Sequence, residues 1–175
     1  MGSSWRCWCV LLSALLLGGC LGRTPERAEL IDALPGSSGD RHWLEISQRL
    51  RLSPTMLEAL DSGIPLRLAY RFDWCKGAML EGRSLQLRYA PMSGRYELSG
   101  VDGPDRRFSQ RSALLAALDR VRLPLASAPP ADCTLRAEVA LDLTALPTPL
   151  RFPALLEPDQ WRLVSPIKQW PPARA

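Results

Sequence analysis

Histidine is nearly absent from this chain, and its scarcity removes more chemistry than any other feature. Of 175 residues only His42 carries an imidazole. Metal sites are built from clustered histidines, cysteines or carboxylates, and neither an H-E-x-x-H pattern nor a paired C-x-x-C occurs. A Ser-His-Asp or Cys-His device would have to use His42 as its base. His42 stands beside Trp43 at the start of a strand pattern and after a flexible stretch, so it reads as a solvated boundary residue. Phosphate-binding loops are missing too: SGVDGPD has glycines without the G-x-G-x-x-G spacing or a strand-to-helix setting. Its carboxylates Asp102 and Asp105 are placed as turn residues rather than as an acid–base pair. No cofactor and no metal is expected, and the chain is not expected to be an enzyme.

Lysine is scarce as well. Lys76 and Lys168 are the two lysines among 22 basic residues, which leaves 20 arginines. Base composition alone can produce that bias. Net charge is +4 and no block of five or six like charges occurs, so nothing argues for nucleic acid. Nor is there an apolar run of the roughly 20 residues a transmembrane helix needs. Apolar content of 46% and charged content of 23% are those of an ordinary globular protein with one modest core.

The chain opens with MGSSWRCWCVLLSALLLGG: Arg6, about a dozen mostly apolar residues, then small ones. This is the plan of a secretory signal, assigned to residues 1–19. Leu17-Gly18-Gly19-Cys20 resembles a bacterial lipobox, in which cleavage leaves a cysteine whose thiol carries diacylglycerol. Cys20 is then the lipidation site, and acyl chains such as palmitate hold the protein to a membrane. The residue after it is Leu21 rather than Asp, which by the enterobacterial sorting rule implies the outer membrane, facing the periplasm. A signal cut elsewhere, or an uncut anchor, are the alternatives.

Residues 20–41 contain Pro25, Pro35 and Gly36-Ser37-Ser38-Gly39 and read as the lipidated N-terminus and a tether. Residues 42–175 read as a single domain with a Pro-rich C-terminal tail from 144. Period-2 patterns mark strands in WLEISQRLRL, IPLRLAYRFDW, RSLQLRY, RYELS and CTLRAEVALDL. SPTMLEALDSG reads as a helix with Ser53 as N-cap, Pro54 in its first turn and Gly63 at its stop. SQRSALLAALDRV reads as a second, with Leu114, Leu115, Leu118 and Val121 as its stripe and Ser109 or Ser112 as its cap. The fold class expected is α+β: a single antiparallel sheet of about five strands, with two short helices covering its apolar face. The prolines of the tail oppose long regular structure, and its aromatics suggest packing along the domain.

Several ordered stretches together resemble the proteobacterial family known as domain of unknown function 4390. They are LSPTMLEALDSGIPLRLAYRFDW, SLQLRYAPMSGRYELS, SALLAALDRV, RAEVALDLTALPTPLRF and QWRLVSPIKQW, spanning roughly residues 44–170. The resemblance implies an exported α+β domain without an assigned activity. Genes of such proteins often neighbour a nitrogen-type sensor kinase, an association without mechanism. The family offers no functional residues to carry over.

Two candidate sites remain. Cys75 and Cys133 are the cysteines left once Cys7, Cys9 and Cys20 are set aside, and an oxidising periplasm invites a disulfide. Strand parity points Cys75 outward and Cys133 inward, which forbids a bridge unless the strand ends before Cys75. The polar sheet face carries Arg49, Arg51, Arg67, Arg71, Arg88, Arg95 and Arg136 against Glu45, Asp73, Glu97, Glu138 and Asp142. It reads either as a solvated mixed-charge surface or as a partner surface for an acidic protein, lipid head groups or glycan. Trp43, Trp74 and the tail aromatics read as core or as the lining of an apolar groove. The functional expectation is an envelope lipoprotein anchored through its N-terminal lipid and acting as a protein-interaction module, linked to a membrane sensor kinase system. The alternative is a periplasmic carrier of a lipid or hydrophobic ligand.

Overall fold

The structure is a computed structural model and describes residues 27–77, 79–130 and 132–172. Among these, nine strands form two antiparallel sheets. The first sheet has the order β1-β2-β7, from β1 (Ala28–Ser38), β2 (Arg41–Leu50) and β7 (Arg120–Leu125). The second has the order β6-β5-β4-β3-β8-β9, from β3 (Leu66–Trp74), β4 (Met79–Ala90), β5 (Arg95–Ser99), β6 (Arg106–Phe108), β8 (Leu135–Leu141) and β9 (Lys168–Trp170). The α+β class and the antiparallel pairing therefore hold, but the single five-stranded sheet does not.

The physical reasons lie in β1 and β7. β1 contains a bulge between Leu30 and Asp32, which breaks the period-2 alternation, and it carries Pro35, tolerated because β1 is an edge strand. The tether expected up to residue 41 thus gives way at Ala28 to a strand whose Ala28, Leu30 and Ala33 are buried. The second helix is expected to run through Val121, which falls at helical spacing from Leu118, but it ends at Leu118 and β7 begins at Arg120. The alternation of RVRLPL wins: Val121, Leu123 and Leu125 are buried on one face.

The two apolar faces meet. Leu44, Ile46 and Gln48 of β2 face Leu66, Leu68, Tyr70 and Phe72 of β3, all buried. Burial of Leu66, Leu68 or Phe72 is worth about 1.5–3 kcal/mol each. The sheets are pinned by a polar contact that the sequence pattern hid. Gln48 Nε2 donates to Tyr70 Oη at 2.8 Å and to the Leu118 carbonyl at 2.8 Å, and Tyr70 Oη donates to Gln48 Oε1 at 3.0 Å.

Helix α1 (Pro54–Asp61) begins as its sequence dictates: Ser53 Oγ accepts the Met56 N–H at 3.1 Å. Gly63, at φ 81°, takes the left-handed turn beyond its end. Helix α2 (Arg111–Leu118) is preceded by Gln110 without a side-chain cap, so neither Ser109 nor Ser112 serves as one. It packs against β2, β5, β6 and β7.

The tail is more regular than its prolines suggest. A 3₁₀ turn (Leu143–Ala145) leads into α3 (Thr148–Leu156) and α4 (Pro158–Trp161). Pro149 sits in the first turn of α3, where no N–H is needed, and Pro153 lies within it. The chain then runs beside β8, with Leu141 N–H donating to Leu163 O and Ser165 N–H to Val139 O, both at 2.8 Å. β9 completes that edge. Lys168 reaches from it to the other sheet and donates to the carbonyls of Leu30 and Ile31, at 3.0 and 2.8 Å, at the β1 bulge.

Candidate interaction surface

Alternation along β3 and β8 turns Arg71, Asp73, Arg136 and Glu138 to the outer face of the six-stranded sheet. Register places Arg71 opposite Glu138 and Asp73 opposite Arg136. The ion pairs follow, at 2.7 Å and 3.4 Å. Arg88 and Glu97, opposed across β4 and β5, meet at 2.6 and 3.2 Å. Arg107 approaches the same carboxylate at 3.6 Å and Arg67 lies 4.0 Å from Asp142. Such exposed pairs contribute under about 1 kcal/mol each, but they fix a lattice of charge on the face.

The seven arginines do not form one surface. Arg67, Arg71, Arg88, Arg95 and Arg136 belong to the six-stranded sheet, with Arg95 exposed at the start of β5. Arg49 lies on the other sheet, paired with Glu29 at 3.0 Å, and exposed Arg51 follows β2. Glu45 also lies there, paired with Arg122 at 2.8 Å.

The first half of β4 inverts the usual pattern. Leu80 opposes Asp73 and Gly82 opposes Arg71, so the apolar Leu80 turns outward and Glu81 and Arg83 turn inward. The inward pair is not wasted. Glu81, with a side chain only 8% exposed, pairs with Arg83 and accepts the Ala126 N–H at 2.6 Å. Arg83 Nε donates to Pro124 O at 2.5 Å, so the pair latches β4 to the end of β7. Outside, Gly82 leaves a depression of about 430 Å³. Leu80, 74% exposed, flanks it on one side and Ile167, 57% exposed, on the other. Its floor and rim carry Arg71, Asp73, Arg136 and Glu138. The result is a charged trough between two bare aliphatic side chains.

A second depression, of about 350 Å³, opens where β1 approaches β8 and β9. Leu34, Pro35, Trp74, Cys133, Trp170 and Pro171 line it. Trp74 is 3% exposed and its Nε1 has no hydrogen-bond partner. Trp43 belongs elsewhere: Arg122 lies 5.5 Å over its ring, and its indole packs on Gly36, where a Cβ would come within 2.5 Å.

Cys75 and Cys133 are joined by a disulfide, with Cα atoms 5.0 Å apart. β3 ends at Trp74, and Cys75 turns into the left-handed region at φ 53°. That turn removes the parity conflict. The Cys75 N–H donates to Thr134 O at 3.1 Å. Lys76 and Asp132, at φ 55° and 58°, share this conformation. Cys20 lies outside the described residues.

Among the described residues four groups have displaced pKa values, and each has a structural cause. Burial pushes the Tyr70 phenol up, against the opposing hydrogen bond from Gln48. The hydrogen bond to Asp61, at 2.8 Å, raises Tyr96. The Arg88 hydrogen bond holds Glu97 below its ordinary value. Hydrogen bonds from Thr144, side chain first and then backbone, do the same for Asp142. His42 is half-buried in β2, with its Nδ1 lacking a partner. Asp102 lies between β5 and β6, and its N–H donates to Arg122 O at 2.7 Å; exposed Asp105 lies in the same connection. Among the described residues no group of three or more His, Cys, Asp or Glu could hold a metal ion. Nor is any helix among them long and apolar enough to cross a membrane.

A family model, Domain of unknown function (DUF4390), matches residues 26–171. No curated protein and no solved structure matches the chain.

Proposed function

The chain belongs to the DUF4390 family, and from that premise we propose a non-catalytic interaction module of the bacterial envelope. In this reading Cys20 carries the lipid that holds the domain to the membrane on its periplasmic side, and the outer face of the six-stranded sheet receives a partner protein. A membrane sensor kinase is one such partner.

The observation that carries the reading is the trough between Leu80 and Ile167. Both side chains stand out beside four charges that are paired with one another, Arg71 with Glu138 and Arg136 with Asp73. Interfaces draw most of their energy from a few apolar anchors of this kind, with paired polar groups beside them supplying complementarity. The edges favour a face rather than strand addition as the means of docking. Pro35 on β1 and Pro124 on β7 interrupt the donors an added strand would need at the edges of the three-stranded sheet, and β6 and β9, the edges of the six-stranded sheet, are only three residues long.

The test is a photocrosslinking residue in place of Ile167 in living cells, with Arg49 on the other sheet as the control position. A discrete adduct at 167 and none at 49 is expected. No adduct at 167 counts against the face.

One observation favours a second reading, the carrier. Trp74, whose buried Nε1 has no partner, lines an apolar depression with room for a small apolar ligand. Native mass spectrometry of the protein from cells would then show a bound ligand, and a protein always found empty refutes it.

A further inference from the structure

Helix α3 presents an apolar face to solvent. Phe152, Leu155 and Leu156 are 69%, 65% and 66% exposed, and their spacing of three and four residues puts them on one side of the helix. The opposite side is held to the domain through buried Ala154. An aromatic and two leucines together on a charged domain form a patch that needs a cover.

Where the chain enters the domain indicates which cover. The Arg27 carbonyl accepts the Arg51 N–H at 2.7 Å. Two residues on, Ser53 Oγ donates to the Gln160 carbonyl of α4, and Thr55 bonds the Gln160 side chain. Helix α4 follows α3 directly through Glu157. The exposed face and the entry point therefore belong to one end of the molecule. Seven residue steps separate Cys20 from Arg27, which span at most about 25 Å when fully extended. A lipid on Cys20 thus holds this end, and not the distant β1–β2 turn, within reach of the bilayer. Exposed Arg51, Arg151 and Arg162, and with them Glu58, Glu157 and Asp159, lie on α1, α3, α4 and the segments next to them. That balance suits a zwitterionic and anionic headgroup layer without strong repulsion, and leaves the apolar side chains as the main attraction.

Resting on the reading of Cys20 as the lipid site, we infer that α3 is a membrane contact: Phe152, Leu155 and Leu156 insert among the headgroups of a phospholipid bilayer. The anchor and α3 are then two points of attachment. Together they orient the domain, with the β1–β2 turn at Gly39 and Asp40 pointing away.

The test uses the membrane-extracted protein reconstituted into phosphatidylethanolamine–phosphatidylglycerol vesicles. An environment-sensitive fluorophore is placed at Leu155→Cys, and in a second preparation at Asp40→Cys. Flotation of the vesicles reports the anchor, and the fluorophore reports the face. The inference expects a blue shift, and quenching by shallow lipid-borne spin labels, at 155 and neither at 40. Protein that floats with an unshifted probe at 155 overturns the inference and leaves the anchor standing. Shifts at both positions overturn the orientation. A probe at 155 that becomes buried only when envelope proteins are added would assign the face to a protein partner instead. Protein that does not float with the vesicles overturns the anchor and the inference together.

Discussion

Reduction of the Cys75–Cys133 disulfide should lower stability by an amount the topology sets. The bridge closes a loop with a sequence separation of 58. Loop-closure entropy for that length restricts the unfolded chain by about 4 kcal/mol. Part of this is offset in the folded state. Cys75, Lys76 and Asp132 are held in the left-handed region, where a side chain costs about 1–2 kcal/mol, and release of the bridge lets some of that strain relax. The net loss is about 2–4 kcal/mol. For a domain of this size it corresponds to a fall in Tm of roughly 6–12 °C. The fall should appear on calorimetry of the protein with and without reductant, and equally in the Cys75→Ala/Cys133→Ala variant. β3 and β8 remain paired over seven residues, so the reduced protein should keep its far-ultraviolet circular dichroism at low temperature. An unchanged Tm after complete reduction would refute the reasoning. So would two free thiols found in the unreduced, unfolded chain.

Three further outcomes are expected. Gln48→Leu and Tyr70→Phe should each cost about 1–3 kcal/mol in urea unfolding, because each strands a buried polar partner. The double variant should cost clearly less than their sum, and strict additivity would mean the contact across the sheets is not formed. Leu80→Asp should leave stability within about 0.5 kcal/mol while abolishing the adduct at position 167; an unchanged adduct would move the partner elsewhere. The Asp142 carboxylate, held below its ordinary value of 3.8, contributes stability that is present above that value and lost as pH falls through the lower folded value. Asp142→Asn should therefore flatten the acid limb of the pH–stability curve, which parallel titrations of the two proteins would reveal.

Much of the fold was legible because burial and period coincide. The alternation in LRLAYRFDW is the burial pattern of β3, and Ser53 caps α1 through the bond its position foretells. What escaped did so for local reasons. The bulge in β1 shifts the side-chain phase at Leu30/Asp32, so a strand looked like a tether. Val121 satisfies helix and strand spacing alike, and the pairing of β7 with β2 decided for the strand. β6 and β9, at three residues each, are too short to show a period. The arginine face was partly legible: residues on β3, β4 and β8 came together, but nothing in the sequence separated them from Arg49 on a different sheet. The trough was not legible, since Leu80 and Gly82 face outward only through the register of β4 on β3. Gln48 is a polar residue in the apolar phase of β2, and the alternation alone gives it no partner. Its partners, Tyr70 and the Leu118 carbonyl, lie 22 and 70 residues away.

The measurement that bears most directly on the whole account is the intact mass of the protein extracted from the cell envelope. The expected product is a chain that begins at Cys20 and carries additional acyl mass, with the domain tethered within a few nanometres of the bilayer. An unmodified chain cut at any other position, recovered from the soluble periplasmic fraction, would contradict it and remove both the anchor and the membrane contact built on it.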